Sequence, residues 1–123
     1  MDEVRRRILV AEDDPLVRRI IIDMLDMSDF DLIEAASGHE ALRLMDIANG
    51  ADLLITDLNM PGMDGIELAH HVRRLYPEIP ILFVSGRLYL LNTGFPPKPY
   101  RYLPKPFRLQ DLVQTVSDML VAH

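Results

Sequence analysis

Four acidic residues and a lysine stand where short apolar runs end. Ile8-Leu9-Val10-Ala11 leads into Glu12, Asp13 and Asp14, Leu53-Leu54-Ile55-Thr56 leads into Asp57, and Tyr102-Leu103-Pro104 leads into Lys105. Like charges a few ångströms apart repel by about 4 kcal/mol at an effective dielectric near 20. Carboxylates gathered in one place must therefore raise a pKa, hold a cation or pair with the lysine. Hard oxygen donors with no His or Cys beside them favour Mg2+, with Mn2+ as an alternative, and Mg2+ typically takes one or two carboxylates plus phosphate. A carboxylate beside such an ion can attack phosphorus and become an aspartyl phosphate. The metal and Lys105 would neutralise charge on the transferred oxygens. Ser85, at the end of a further apolar run, would be placed to hydrogen-bond one of them.

This chemistry requires the runs to be neighbours. Near-continuous Val, Ile and Leu is the mark of a strand buried on both faces of a parallel sheet, and in open α/β sheets the ligand site lies beyond the carboxyl ends of the strands. Residues 7–11, 30–36, 52–57, 80–85 and 100–104 read as five strands. Between them lie segments of helical period. Asp14-Pro15 opens one over 15–27, with Leu16, Val17, Ile20, Ile21, Met24 and Leu25 at three-to-four spacing. Ser37-Gly38-His39-Glu40 has the form of a capping box and opens a second helix, ended by Asn49-Gly50. After the turn Pro61–Gly65 a third helix runs over 65–75 until Pro77, and a final helix covers 108–121. The alternation predicts βαβ units, right-handed crossovers and helices on both faces of a doubly wound sheet. One interval breaks it. Gly86–Pro99 holds room for about one and a half turns over 87–92 before Asn92, Gly94 and three prolines stop a helix, so a short or irregular fourth helix is expected.

A chain of 123 residues fits one domain, with no segment left over for a separate output domain. The formal charge of −6 argues against a nucleic-acid surface. With no cysteine there is neither a disulfide framework nor a thiolate metal site. No apolar stretch approaches the roughly 20 residues of a membrane span, and the acidic start Met1-Asp2-Glu3 lacks the apolar core of a signal peptide. A cytoplasmic, reducing setting fits these features. Arg5-Arg6-Arg7 reads as a solvated terminus, and the seven methionines read as core filling.

The motifs Ile8–Pro15 (ILVAEDDP), Leu54–Gly65 (LITDLNMPGMDG), Val84-Ser85-Gly86 and Tyr102–Phe107 (YLPKPF) together resemble the receiver domain of two-component response regulators, over essentially the whole chain and in the single-domain, chemotaxis-like form. The resemblance implies a flavodoxin-like five-stranded sheet of order 2-1-3-4-5. It implies Asp57 as phospho-acceptor, with Asp13 and Asp57 as direct Mg2+ ligands, Glu12 acting through water and the Asn59 carbonyl as a further ligand. Ser85 matches the switch hydroxyl, Tyr102 the switch aromatic and Lys105 the phosphate-pairing lysine. Lys105–Pro106 matches a cis peptide, and Asn59 and Arg87 lie where hydrolysis of the acyl phosphate would be tuned. The implied partners are a histidine kinase or histidine phosphotransfer protein and a downstream protein target, with neither nucleic acid nor membrane; the protein would be a switch around residues 85–105 and not an enzyme. The chain departs from the pattern in carrying Glu12 where Asp is more frequent, and in the proline-rich 86–99 segment.

Two rival readings share these residues. A haloacid-dehalogenase-like phosphatase would also use an aspartyl nucleophile and Mg2+, but needs a second Asp two residues on, where this chain has Asn59. A pseudo-receiver would keep the fold as an interaction module without being phosphorylated. Adjacent His70 and His71 diverge by about 100° on a helix and cannot chelate one metal.

Overall fold

Every residue of Ile8–Ala11, Leu53–Thr56 and Ile81–Ser85 is buried, because helices cover both faces of the sheet they form. The computed structural model describes residues 5–121, so the acidic start Met1-Asp2-Glu3 lies outside it. The elements run β1 (Arg6–Ala11), α1 (Pro15–Asp26), β2 (Phe30–Ala35), α2 (Gly38–Ile47), β3 (Leu53–Thr56), α3 (Gly65–Leu75) and β4 (Ile81–Ser85). A 3-10 turn, Leu88–Leu90, leads into a single-turn α4 (Leu91–Gly94), followed by β5 (Arg101–Pro104) and α5 (Leu109–Val121). All strand pairs are parallel and the sheet order is β2-β1-β3-β4-β5, so the expected doubly wound, flavodoxin-like architecture is present.

Alternate residues of each strand feed opposite cores. Leu9, Leu54, Ile81 and Phe83 pack against α2 and α3 with Met45, Leu68 and Val72. Ile8, Val10, Ile55, Leu82 and Val84 pack against α1 and α5 with Ile21, Leu25, Leu112 and Val116. On α1 the inward stripe is narrower than the periodicity predicts. Leu16 and Ile20 are exposed, and Ile22 is buried in their stead. Met27 is likewise exposed and fills no core.

Local signals in the sequence set the helix ends. Asp14 caps α1 by accepting from the N–H of Leu16 and Val17 at 2.9 and 3.3 Å. At α2 the reciprocal box is modified: Ser37 Oγ accepts from Glu40 N at 3.1 Å, while Glu40 reaches back to Ala36 N at 2.8 Å, one residue earlier than the standard box. Asn49 and Gly50 end that helix at φ of 60° and 99°. The arginine run is not a merely solvated terminus. Arg6 already belongs to β1, and Arg7 donates to Ala48 O at 2.6 Å and pairs with Asp31.

The 86–99 segment is short and irregular, as its prolines dictate, and α3 takes over the anchoring that a longer α4 would supply. Three α3 residues spaced along one stripe grip it. Ile66 packs so tightly on Gly94 that a Cβ there would lie 2.1 Å from its Cδ1. His70 Nε2 bonds Phe95 O at 3.0 Å, and Arg73 donates to Pro99 O at 2.6 Å while also holding Pro77 O and Ile79 O at 3.1 and 2.5 Å. Two peptide bonds are cis, Lys98–Pro99 in this segment and Lys105–Pro106 after β5.

Candidate functional site

Ladder bonds carried past the strand ends bring the charged tips together. Glu12 N donates to Ala35 O at 3.0 Å, Asp57 N to Ala11 O at 3.2 Å and Lys105 N to Ser85 O at 3.0 Å. Carboxylate oxygens of Glu12, Asp13 and Asp57 all lie within 4.8 Å of one another. Lys105 Nζ donates to both Glu12 Oε1 at 2.5 Å and Asp57 Oδ2 at 3.0 Å. Asp14 is turned away as the helix cap, so three of the four acids converge.

Each acid is held differently. Glu12 is only 2% exposed. Its second oxygen accepts from Asp14 N at 3.2 Å. Asp57 Oδ1 accepts from the N–H of Leu58 at 2.7 Å and of Asn59 at 3.3 Å, which aims the other oxygen at the lysine. Burial pushes the Glu12 carboxyl above the ordinary glutamate range, outweighing the hydrogen bond from Lys105. Burial alone would lower the Lys105 ammonium, but its bonds to Glu12 and Asp57 and their charges outweigh it and its pKa rises. The donor set is all oxygen, and no histidine belongs to it. That is the set a hard divalent cation prefers, so the residues fit Mg2+.

The side chains of the remaining expected residues lie outside the carboxylate–lysine cluster. Ser85 is buried at the end of β4, and its Oγ accepts from Arg87 N at 3.0 Å. The Asn59 and Arg87 side chains are exposed. Tyr102, on the edge strand, is 59% exposed. His70 and His71 lie on α3 and bond Phe95 O and Arg74 respectively.

Three contributors escape sequence reasoning. Arg18 Nη1 donates to Glu12 O at 2.7 Å and its Nε pairs with Glu34 at 3.5 Å, anchoring the acidic loop to β2. Thr56 Oγ1 donates to Asp57 O at 2.9 Å. Gly65 brings the start of α3 against the Asp57–Leu58 peptide, with its own N–H donating to Leu58 O at 2.9 Å. A glycine closing a turn-like stretch is the one visible signal, and by itself it indicates turn chemistry and not close approach.

A doubly wound parallel sheet with an acidic pocket and a lysine at its carboxyl edge defines a flavodoxin-like domain whose site sits at the topological switch point. The family model for the response regulator receiver domain matches residues 8–117, and the chain belongs to that family. It is 35% identical over 119 residues to the response regulator receiver protein CpdR of Brucella abortus, covering 95% of this chain and 98% of that one. It is 38% identical over 117 residues to the sensor kinase CckA of the same organism, covering 92% of this chain but 12% of that one. Among solved structures, a putative response regulator from Chloroflexus aurantiacus superposes with a TM-score of 0.86 at 34% identity, covering 96% of this chain and 99% of that one. Among the described residues no helix is long and apolar enough to cross a membrane.

Proposed function

We propose that this chain is a phosphorylation-dependent signalling switch that accepts a phosphoryl group on Asp57. The donor would be a phosphohistidine of a partner kinase or phosphotransfer protein. An Asp57 carboxylate oxygen attacks phosphorus, the phosphorus–nitrogen bond breaks, and the electron pair leaves with the imidazole. The observation that carries this reading is the sharing of Lys105 between Glu12 and Asp57, beside a third convergent carboxylate.

Asp13 and Asp57 would hold Mg2+ directly, with the Asn59 carbonyl, and Glu12 would act through water. When bound, the ion would supply charge neutralisation on the transferred oxygens. The two backbone N–H groups on Asp57 keep its carboxylate oriented, Glu12 holds Lys105 beside it, and Lys105 would follow the charge onto the phosphoryl group. The new group brings roughly −1.5 to −2 charge and three acceptor oxygens. Ser85, whose hydroxyl now accepts only from Arg87 N among the described residues, would donate to one of them. Tyr102 then repacks from its exposed position, and the surface around residues 85–105 changes state. The exposed side chains of Asn59 and Arg87 would tune hydrolysis of the acyl phosphate. The protein turns over no external substrate in this scheme, and it works in the cytoplasm, where its phosphodonor would be.

The test is incubation with acetyl phosphate and Mg2+, read by intact mass. A phospho-adduct on the wild type that is absent from Asp57→Asn supports the switch. No adduct on the wild type leaves an interaction module, and steady hydrolysis of a generic phosphate ester would instead reveal a phosphatase.

A further inference from the structure

Of the three carboxylates that converge at the sheet edge, two have their direction fixed by hydrogen bonds of their own. Asp57 Oδ1 accepts from the N–H of Leu58 and of Asn59, and the Glu12 carboxylate meets Lys105 and Asp14 N. Asp13 differs. Neither its carboxylate nor its own N–H is hydrogen-bonded among the described residues. The aim of its side chain is therefore set by the two peptide groups that flank it. A peptide group is planar, so holding its oxygen or its nitrogen orients the whole unit. On one side Asp14 N donates to Glu12 Oε2 at 3.2 Å, which holds the Asp13–Asp14 peptide. On the other, Glu12 O accepts from Arg18 Nη1 at 2.7 Å, which holds the Glu12–Asp13 peptide.

Arg18 can steady that carbonyl because it is itself steadied. Its N–H donates to Asp14 O at 2.9 Å in the first turn of α1, and its Nε pairs with Glu34 Oε1 on β2 at 3.5 Å. The side chain is only 19% exposed, which limits competition from water. Glu34 divides its two oxygens between neighbouring arginines. The second oxygen goes to Arg19 Nη2 at 2.9 Å, and Arg19, 54% exposed, also pairs with Asp23. Only Arg18 of the two donates to the acidic loop. By charge alone a guanidinium near a cation site opposes the ion. Pairing with Glu34 offsets that charge and leaves the directed hydrogen bond.

We propose that Arg18, oriented by Glu34, is a positioning residue for Mg2+. It fixes the Glu12–Asp13 peptide so that the otherwise unheld Asp13 carboxylate stays beside those of Glu12 and Asp57. The proposal rests on the reading above that Asp13 and Asp57 hold the ion. Groups that orient a ligand without touching the metal set its affinity by about 10- to 100-fold. Without Arg18 the ion would have to order Asp13 on binding, at the expense of affinity.

The experiment titrates the metal-free full chain with MgCl2 and follows amide NMR shifts of residues 12–14 and 57–59, with urea midpoints measured in chelator. Arg18→Met should raise the Mg2+ Kd by about tenfold or more. Its sign is informative, because removing a positive charge would by itself tighten binding. Arg18→Met/Glu34→Gln loses one charge of each sign and keeps the formal −6, so it isolates geometry. Its Kd should match that of Arg18→Met, since both changes break one chain of contacts. Glu34→Gln alone should raise the Kd several-fold, Arg18→Lys should recover part of the loss, and Arg19→Met should stay within about twofold of wild type. Hydrogen exchange at the Asp13 and Asp14 amides of the metal-free protein should quicken in Arg18→Met and not in Arg19→Met. Unchanged or tighter Mg2+ binding in both Arg18→Met and the charge-neutral pair overturns the positioning role and leaves the metal site standing. A lowered urea midpoint with an unaltered Kd overturns it too, by making Arg18 a purely structural contact. A wild type that takes up no Mg2+ overturns the metal reading itself, and this role with it.

Discussion

Replacing Gly65 by alanine should damage both the fold and the pocket, through backbone and not through side chains. A Cβ on residue 65 would lie 1.9 Å from the carbonyl oxygen of Asp57, 2.8 Å from its carbonyl carbon and 2.9 Å from Leu58 Cα. Ordinary contact begins near 3.4 Å, so the first turn of α3 or the Asp57–Leu58 peptide must move by more than an ångström. No flexible side chain can yield instead. Overpacking of this kind costs about 1–3 kcal/mol. Displacement also strains the Gly65 N–H to Leu58 O bond at 2.9 Å and the Thr56 hydroxyl bond to Asp57 O, adding about 1 kcal/mol. Alanine's better helix propensity returns up to about 1 kcal/mol. The net expectation is a loss of about 1–4 kcal/mol, which leaves the protein folded. In the same variant Asp57 moves relative to Lys105, and a misplacement near 1 Å costs reaction rate by up to about 100-fold. Urea unfolding followed by circular dichroism reads the first effect, and the time course of acetyl phosphate labelling reads the second. A Gly65→Ala protein within about 0.5 kcal/mol of wild type, labelled at the wild-type rate, would refute the close-approach argument.

Other expectations follow from the same geometry. Lys105→Met leaves the converging carboxylates without their cation. At neutral pH with chelator it should lose about 2 kcal/mol, discounted because the lysine is partly exposed, and added Mg2+ should raise its Tm more than it raises the wild type's. Arg73→Ala removes donors from Pro77, Ile79 and Pro99 carbonyls. It should lose about 2–3 kcal/mol, and amide hydrogen exchange should rise selectively over 95–101. The Glu12 carboxyl, raised by burial above its ordinary 4.5, keeps its proton in the folded state to higher pH than in the unfolded chain. The metal-free protein should therefore lose stability as pH climbs through that interval. Comparison of urea midpoints against Glu12→Gln should show this slope in the wild type only.

Much of the site is visible in the residue order because each charged tip directly follows a strand, β1 and β3 buried and β5 at the sheet edge. The continuous apolar runs ending at Ala11, Thr56 and Pro104 locate Glu12, Asp57 and Lys105 without any coordinates, and the helix caps Asp14 and Ser37 are equally local. Leu16 and Ile20 show where such reasoning stops. Their spacing matches the inward stripe, yet they are exposed, because which flank of α1 is covered depends on what packs against it and not on periodicity. Arg5 and Arg7 show it again, since their partners Asp29 and Asp31 are more than twenty residues away.

From the order of residues alone came the alternating strands and helices, the convergence of acids and lysine at one sheet edge, and the interruption of the fourth helix by prolines. Those properties depend on neighbours in the chain, on periodicity and on charge, which the linear text carries directly. Only the tertiary structure decided that Glu12 and Asp57 share one lysine, that Gly65 is needed for backbone contact, and that α3 clamps the 94–99 segment. Each of these depends on the distance between residues remote in sequence, a quantity set by how the packed layers meet.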